Sequence, residues 1–194
     1  MLNKTIKTLL LVTASAVFAA PASATVFNLA ADSQWHTFDV DDMVSASGGL
    51  EWIDAQIDTG YNNDGSALHF VFNVAGQAIL TIVDGGFAGD RFQIFNNGEV
   101  LGLTSASTDS YPDSVGTNFD AALEDSRYSQ AVYVLNAGQY DITGVLNTSA
   151  SAEGTLLNTT IGAVSLTAVP VPGALGLFAI GSALLAGVSR RRTV

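Results

Sequence analysis

Leu68, Phe70, Phe72 and Val74 occupy alternate positions in Ala67-Leu68-His69-Phe70-Val71-Phe72-Asn73-Val74, with His69 and Asn73 between them. In an extended strand, residues two apart share a face, so this segment predicts a strand buried on one side and wet on the other. Such a strand needs a second apolar layer to cover it. Ala78-Ile79-Leu80-Thr81-Ile82-Val83 supplies a further strand, apolar on both faces and therefore central. Arg91–Phe95 and Glu99–Leu103 flank Asn96-Asn97-Gly98, whose Asn-Gly step provides the positive φ of a tight hairpin. Ala131–Leu135, a turn at Asn136-Ala137-Gly138, Tyr140–Val145 and a last strand from Ile161 to Ala168 complete the series.

Short strands separated by Gly, Asn, Asp and Ser predict an all-β fold, a jelly-roll-like β-sandwich. One segment departs from the pattern. In Asn118–Asp125, Phe119, Ala122 and Leu123 fall at helical spacing, and one short helix is expected to cross the end of the sandwich. Neither a repeat nor a boundary interrupts residues 25–168, which read as one domain. A domain of that length buries roughly two-thirds of its unfolded surface and needs no metal or disulfide to hold it.

The two ends read differently. Lys4 and Lys7 precede an apolar run from Leu9 to Ala20, and Pro21-Ala22-Ser23-Ala24 follows. A positive start, a short apolar stretch and small residues at Ala22 and Ala24 make a signal peptide over residues 1–24, with signal peptidase cutting before Thr25. At the other end, the residues from Val169 to Val188 carry no charge, and Arg190, Arg191 and Arg192 follow. As a helix rising about 1.5 Å per residue, the part after Pro172 nearly spans a ~30 Å hydrocarbon core. Three arginines at its end act as a stop and hold that end in the cytoplasm, placing the middle of the chain outside. The prolines fix φ and lack an N–H, so Val169-Pro170-Val171-Pro172 stays extended where a protease can take it.

Proline motif, apolar helix and arginine cluster, in that order at the C-terminus, resemble the PEP-CTERM sorting signal of Gram-negative bacteria. The likeness covers Val169 to Arg192. In that family the motif reads Val-Pro-Glu-Pro; here Val171 stands at the Glu position. The resemblance implies recognition by an exosortase, a membrane-embedded cysteine protease that cuts near the motif. The protein is then released or passed to a surface carrier, commonly in species that make extracellular polysaccharide. The phrase from Asp84 through Gly89-Asp90-Arg91-Phe92 to Thr104-Ser105, with Ala137-Gly138-Gln139-Tyr140-Asp141-Ile142, is similar to ectodomains found upstream of such tails. It also resembles bacterial pre-peptidase-type sandwich modules, and carries no residue role.

Charge narrows the partners. All eighteen Asp and Glu lie between Thr25 and Ala168, against only Arg91 and Arg127. A chain so acidic has no basic footprint for nucleic acid or anionic lipid. Cysteine is absent, which removes disulfides, a thiol nucleophile and a thiolate metal site. His36 and His69, the two histidines, belong to no zinc-hydrolase motif, and no Gly-x-Ser-x-Gly elbow is present. Both read as surface or edge-strand residues. A glycosidase needs two paired carboxylates, and with eighteen acids in one domain no particular pair stands out.

The expected role is therefore non-catalytic: an exported surface or matrix protein, structural or adhesive, with extracellular polysaccharide as the partner it would meet. The alternative is a carbohydrate- or Ca²⁺-dependent binding module. Loop oxygens are what Ca²⁺ takes, and Asp84 and Asp90 in Asp84-Gly85-Gly86-Phe87-Ala88-Gly89-Asp90, with Asp64 in Asn62-Asn63-Asp64-Gly65, are the candidate ligands. Asp39-Val40-Asp41-Asp42 is a third acidic stretch. The same residues also cap turns through side-chain bonds to backbone. Trp35, Trp52 and Tyr61 are candidates for a glycan-stacking platform, although Trp52 reads as core.

Overall fold

The computed structural model describes residues 24–54 and 64–170. Its strands are β1 (Ala24–Asn28), β2 (His36–Asp41), β3 (Ala67–Val74), β4 (Gln77–Asp84), β5 (Gly86–Phe87), β6 (Arg91–Asn96) and β7 (Glu99–Leu103). After them come β8 (Ser114–Gly116), the helix α1 (Phe119–Glu124), β9 (Gln130–Leu135), β10 (Gly138–Thr148), β11 (Ser151–Ala152), β12 (Thr155–Leu156) and β13 (Thr159–Val169). Two sheets carry the fold: β1-β3-β10-β6-β7 and β2-β13-β4-β9. All their neighbours run antiparallel except β1, which lies parallel to β3. The chain is an all-β protein with one short helix.

Alternation decides which face of each strand is buried. Leu68 and Phe70 from β3, Phe92 and Ile94 from β6, and Ile142 and Leu146 from β10 point inward from the first sheet. Phe38 and Val40 from β2, Leu80 and Ile82 from β4, and Val164 and Leu166 from β13 meet them from the second. One contiguous core thus joins the two sheets, as in a sandwich. The Asn97-Gly98 hairpin forms with φ of 50° and 81°, both positive as a type I′ turn requires.

The second sheet is covered on its outer face as well. Val83 and Ala163 pack there against Phe119 and Ala122 of α1 and against Tyr128. The helix therefore lies over a sheet face, not across the end of the sandwich as its position in the sequence led us to expect. Its apolar side is short, Phe119 and Ala122 with Leu123 partly buried beside them, and the outward Val83 and Ala163 are what it covers. Asn118 caps it by accepting from the Ala121 N–H.

Glu51–Ile53 forms isolated bridges that join the sheets along their open side. Ile53 pairs with both Asp39 of β2 and Ala67 of β3, and Glu51 with Val145 of β10. Trp52, carried between them, is buried in the core as its surroundings in the sequence predict. Asp39 and Asp41 belong to a strand whose Phe38 and Val40 point inward, so that acidic stretch is the outer side of β2 running into a turn. Asp41 accepts from the Met43 N–H there.

Candidate functional site

Two of the places that gather polar groups bear on function: one end of the sandwich interior and a cleft towards the opposite end. At the first, β4 ends its inward-facing row with Asp84, β13 begins its own with Thr160, and Asp90 precedes β6 on the same side. Asp84 and Asp90 are both buried. Asp90 Oδ1 accepts from the Ala150 N–H at 2.8 Å, and Thr160 Oγ1 approaches Asp84 Oδ1 at 3.5 Å. Burial, reinforced by the neighbouring Asp90 carboxylate, pushes the Asp84 carboxyl well above its ordinary range. Burial likewise raises Asp90 to about 6, with Asp109 adding to the effect. The N–H groups of Gly85, Gly89 and Asp90 pull Asp84 the other way, yet its Oδ2 has no hydrogen-bond partner of good geometry.

Of the three calcium candidates, the fold brings Asp84 and Asp90 together and leaves Asp64 in another network, where its carboxylate accepts from the Ser66 N–H. Among the described residues, no three His, Asp or Glu side chains gather as a metal cluster. Calcium takes six to eight oxygens, and N–H donors already face this pair. Two like-charged acids in a dry place, with no Lys, Arg or His side chain paired to either among the described residues, hold a proton more readily than an ordinary carboxylate does. Arg91 does not supply the missing charge: its guanidinium donates to the Thr104 and Ser105 carbonyls.

The histidines sit in different settings. His69 is half-buried on β3, an interior strand, and its Nδ1 meets both Asp141 oxygens at 2.9 and 3.0 Å. His36 begins β2, an edge strand, with its ring 4.8 Å from that of Phe27. The tryptophans form no shared platform. Trp52 stacks inside the core, while Trp35 lies against Phe119 and donates its indole N–H to Asp120 at 2.8 Å.

The second place is a cleft of about 400 Å³ on the first sheet, lined in part by Asn28, Asn73, Asn97, Gln139, Tyr140 and Asp141. The register makes it: Asn28 of β1 lies opposite Val71 of β3, and Gln139 of β10 opposite Asn73. Asn97 comes from the β6–β7 turn and donates from Nδ2 to the Gln139 carbonyl at 3.4 Å. Tyr140 stacks on Phe72, ring centroids 5.3 Å apart, on the inward side against the core, while Val71 shares the outward face with Asn73 and gives the cleft an apolar floor. Sequence reasoning missed this group, because four amides separated by tens of residues carry no spacing signal.

Ala24 and Thr25 lie in β1, and Thr25 Oγ1 donates to Asp54 at 2.9 Å. Val169 is the last residue of β13 and pairs with Gln77, with Pro170 directly after it. Ala22, Tyr61, Asn62, Asn63, Val171, Pro172, Arg190, Arg191 and Arg192 lie outside the described residues. Among the described residues, no helix is long and apolar enough to cross a membrane.

No family model matches this chain, and no curated protein does. Among solved structures, it is similar to the pre-peptidase C-terminal domain of collagenase from Bacillus anthracis, with 11% identity and a TM-score of 0.37. That match covers 77% of this chain and 99% of the other. A likeness of this degree assigns no role, and the functional reading rests on the residues of this chain.

Proposed function

We propose that this is an exported protein with a structural or adhesive, non-catalytic role at the cell surface or in the extracellular matrix. Signal peptidase removes residues 1–24, the C-terminal apolar helix holds the acidic domain outside the inner membrane, and an exosortase-like protease frees it near Val169–Pro172. The observation that carries this reading is the order of parts at the C-terminus: a two-proline motif, an uncharged apolar stretch and three arginines. The fold is compatible with it: β1, Ala24–Asn28, and β13, Thr159–Val169, each overlap the adjoining processing signal by a single residue.

The strand order supports a jelly roll. Taking β2, β3, β4, β6, β7, β9, β10 and β13 as the eight main strands, one sheet holds the first, eighth, third and sixth, and the other the second, seventh, fourth and fifth. That nesting is the order expected of the double Greek key in a jelly roll. A surface of Ser, Thr, Asn and Asp without lysine keeps such a domain hydrated and repels its own copies.

Reporter fusions after Val194 test the topology. A fusion active only in the cytoplasm is expected; one active only in the periplasm overturns the proposed orientation.

A second reading, a carbohydrate-binding module, is favoured by the amide-lined cleft between β1, β3 and β10. Binding to matrix polysaccharide and a structural role are compatible, since an adhesive protein needs a surface that grips its matrix.

A further inference from the structure

We infer that the cleft formed by Asn28, Asn73, Asn97, Gln139 and Asp141 binds a neutral polyhydroxylated ligand, a segment of an uncharged polysaccharide. This inference rests on the proposed matrix role and names the ligand class of its second reading.

The chemistry of the lining selects the ligand. A carboxamide offers an acceptor oxygen and two N–H donors without charge. A sugar hydroxyl is likewise donor and acceptor, so neighbouring hydroxyls and amides satisfy one another in pairs. Asn28, Asn73 and Gln139 are exposed, and their side-chain amides have no hydrogen-bond partner among the described residues. Asn97 is fixed by bonds to Asn96 and to the Gln139 carbonyl, and Asp141 is held by His69. Free amides thus surround an anchored amide and an anchored carboxylate, and Val71, in the same outward row of β3 as Asn73, gives the cleft an apolar floor.

Charge excludes the alternatives. Among the described residues no Lys or Arg lines the cleft and its one carboxylate is Asp141, and the domain as a whole is strongly acidic. An anionic polysaccharide would meet repulsion with nothing to offset it. A cationic ligand would find a single carboxylate already engaged by His69.

A second cleft among the described residues, about 380 Å³ beside Arg91 and Asp109, is similar in size but already committed. Ser107 donates to the Gly89 carbonyl, Ser149 to the Ala150 carbonyl, and Asp109 accepts from both the N–H and hydroxyl of Ser151. A ligand there would have to break internal bonds, whereas at the amide cleft it replaces only water.

The test is isothermal titration of the full-length chain with neutral hexasaccharides of glucose, mannose and galactose, and with hexagalacturonate as the anionic counterpart. At least one neutral hexasaccharide is expected to bind. The double variant Asn73→Ala, Gln139→Ala should weaken it by about tenfold or more, as loss of two ligand hydrogen bonds implies. Ser107→Ala, in the other cleft, should leave it unchanged, and hexagalacturonate should bind at least tenfold more weakly. Absence of binding by every neutral probe at 10 mM, binding that survives the double variant, or equal affinity for hexagalacturonate each overturns the inference. Both substituted positions are exposed, and a thermal melt matching the parent shows that the variant is folded. The readout is separate from processing. A chain cut at its C-terminus that binds no neutral probe refutes this site alone, and one that binds while keeping its tail beside an active exosortase refutes the sorting reading alone.

Discussion

Phe38 and Trp52 stack at the centre of the core with ring centroids 3.8 Å apart and planes 16° from parallel. A glycine from each sheet makes room for them. A Cβ added at Gly144 of β10 would stand 2.2 Å from the Trp52 ring, and one at Gly162 of β13 would stand 2.3 Å from Phe38. Phe92 closes the group edge-on at 5.1 Å from Phe38. The stack thus needs an empty position on each of two strands that belong to different sheets.

Gly144→Ala is therefore expected to destabilise the fold by about 1–3 kcal/mol, the usual cost of overpacking a dense core. Gly138→Ala serves as the control, because a Cβ there meets nothing closer than 3.5 Å. Urea midpoints compare the two variants with the parent; a Gly144→Ala midpoint equal to the parent's contradicts the packing described.

The buried acids make stability depend on pH with a definite sign. Asp90 has its carboxyl raised to about 6 in the folded state, against 3.8 for the exposed group. The folded chain therefore binds the proton more tightly than the unfolded chain. Stability from this group is fully present below about pH 4 and is lost as pH rises through about 6. A shift of that size corresponds to about 3 kcal/mol. Asp90→Asn should raise stability at pH 7.5 and flatten the profile between pH 4 and 7, since an amide oxygen can still accept from the Ala150 N–H. Chemical denaturation across that range checks it, and a steeper profile in the variant would count against the assignment.

Much of the sheet was legible from alternation. β3 runs from Ala67 to Val74 and β7 from Glu99 to Leu103, as the periodicity and the Asn-Gly turn predict. β2 escaped because three of its six positions are Asp or His, and its inward Phe38 and Val40 are too few to stand out. β1 was hidden by its place directly after a signal-like stretch. The amide cleft was illegible for a different reason. Asn28, Asn73 and Gln139 are ordinary turn and surface residues, and only the β1–β3 and β3–β10 registers bring them together.

Trp35 tests the two tryptophan roles. Its indole N–H bonds Asp120 and its ring covers Phe119, which ties the approach to β2 to the helix. Trp35→Phe should cost about 1 kcal/mol, the typical net value of one hydrogen bond. A double-mutant cycle with Asp120→Ala should recover most of that cost as coupling. Affinity for neutral oligosaccharide should not change, whereas its loss in Trp35→Phe would return the glycan site to the tryptophans.

The cleft and the exit of the chain share one end of the sandwich. Gln77 pairs with Val169 just before Pro170, and also bonds Asn136 in the turn that leads into β10. In the proposed membrane-held form, this end would face the bilayer. Protein retained in membrane vesicles with the domain outward is expected to bind a neutral hexasaccharide more weakly than protein released from them. Equal affinity would show that the tail leaves the cleft open.

The most direct measurement is the intact mass of the protein taken from its native envelope, in cells that contain an exosortase. The expected species begins at Thr25 and ends near Val169–Pro172, alone or with a carrier attached. A mass that retains the apolar segment and Arg190–Arg192 would contradict the proposed sorting.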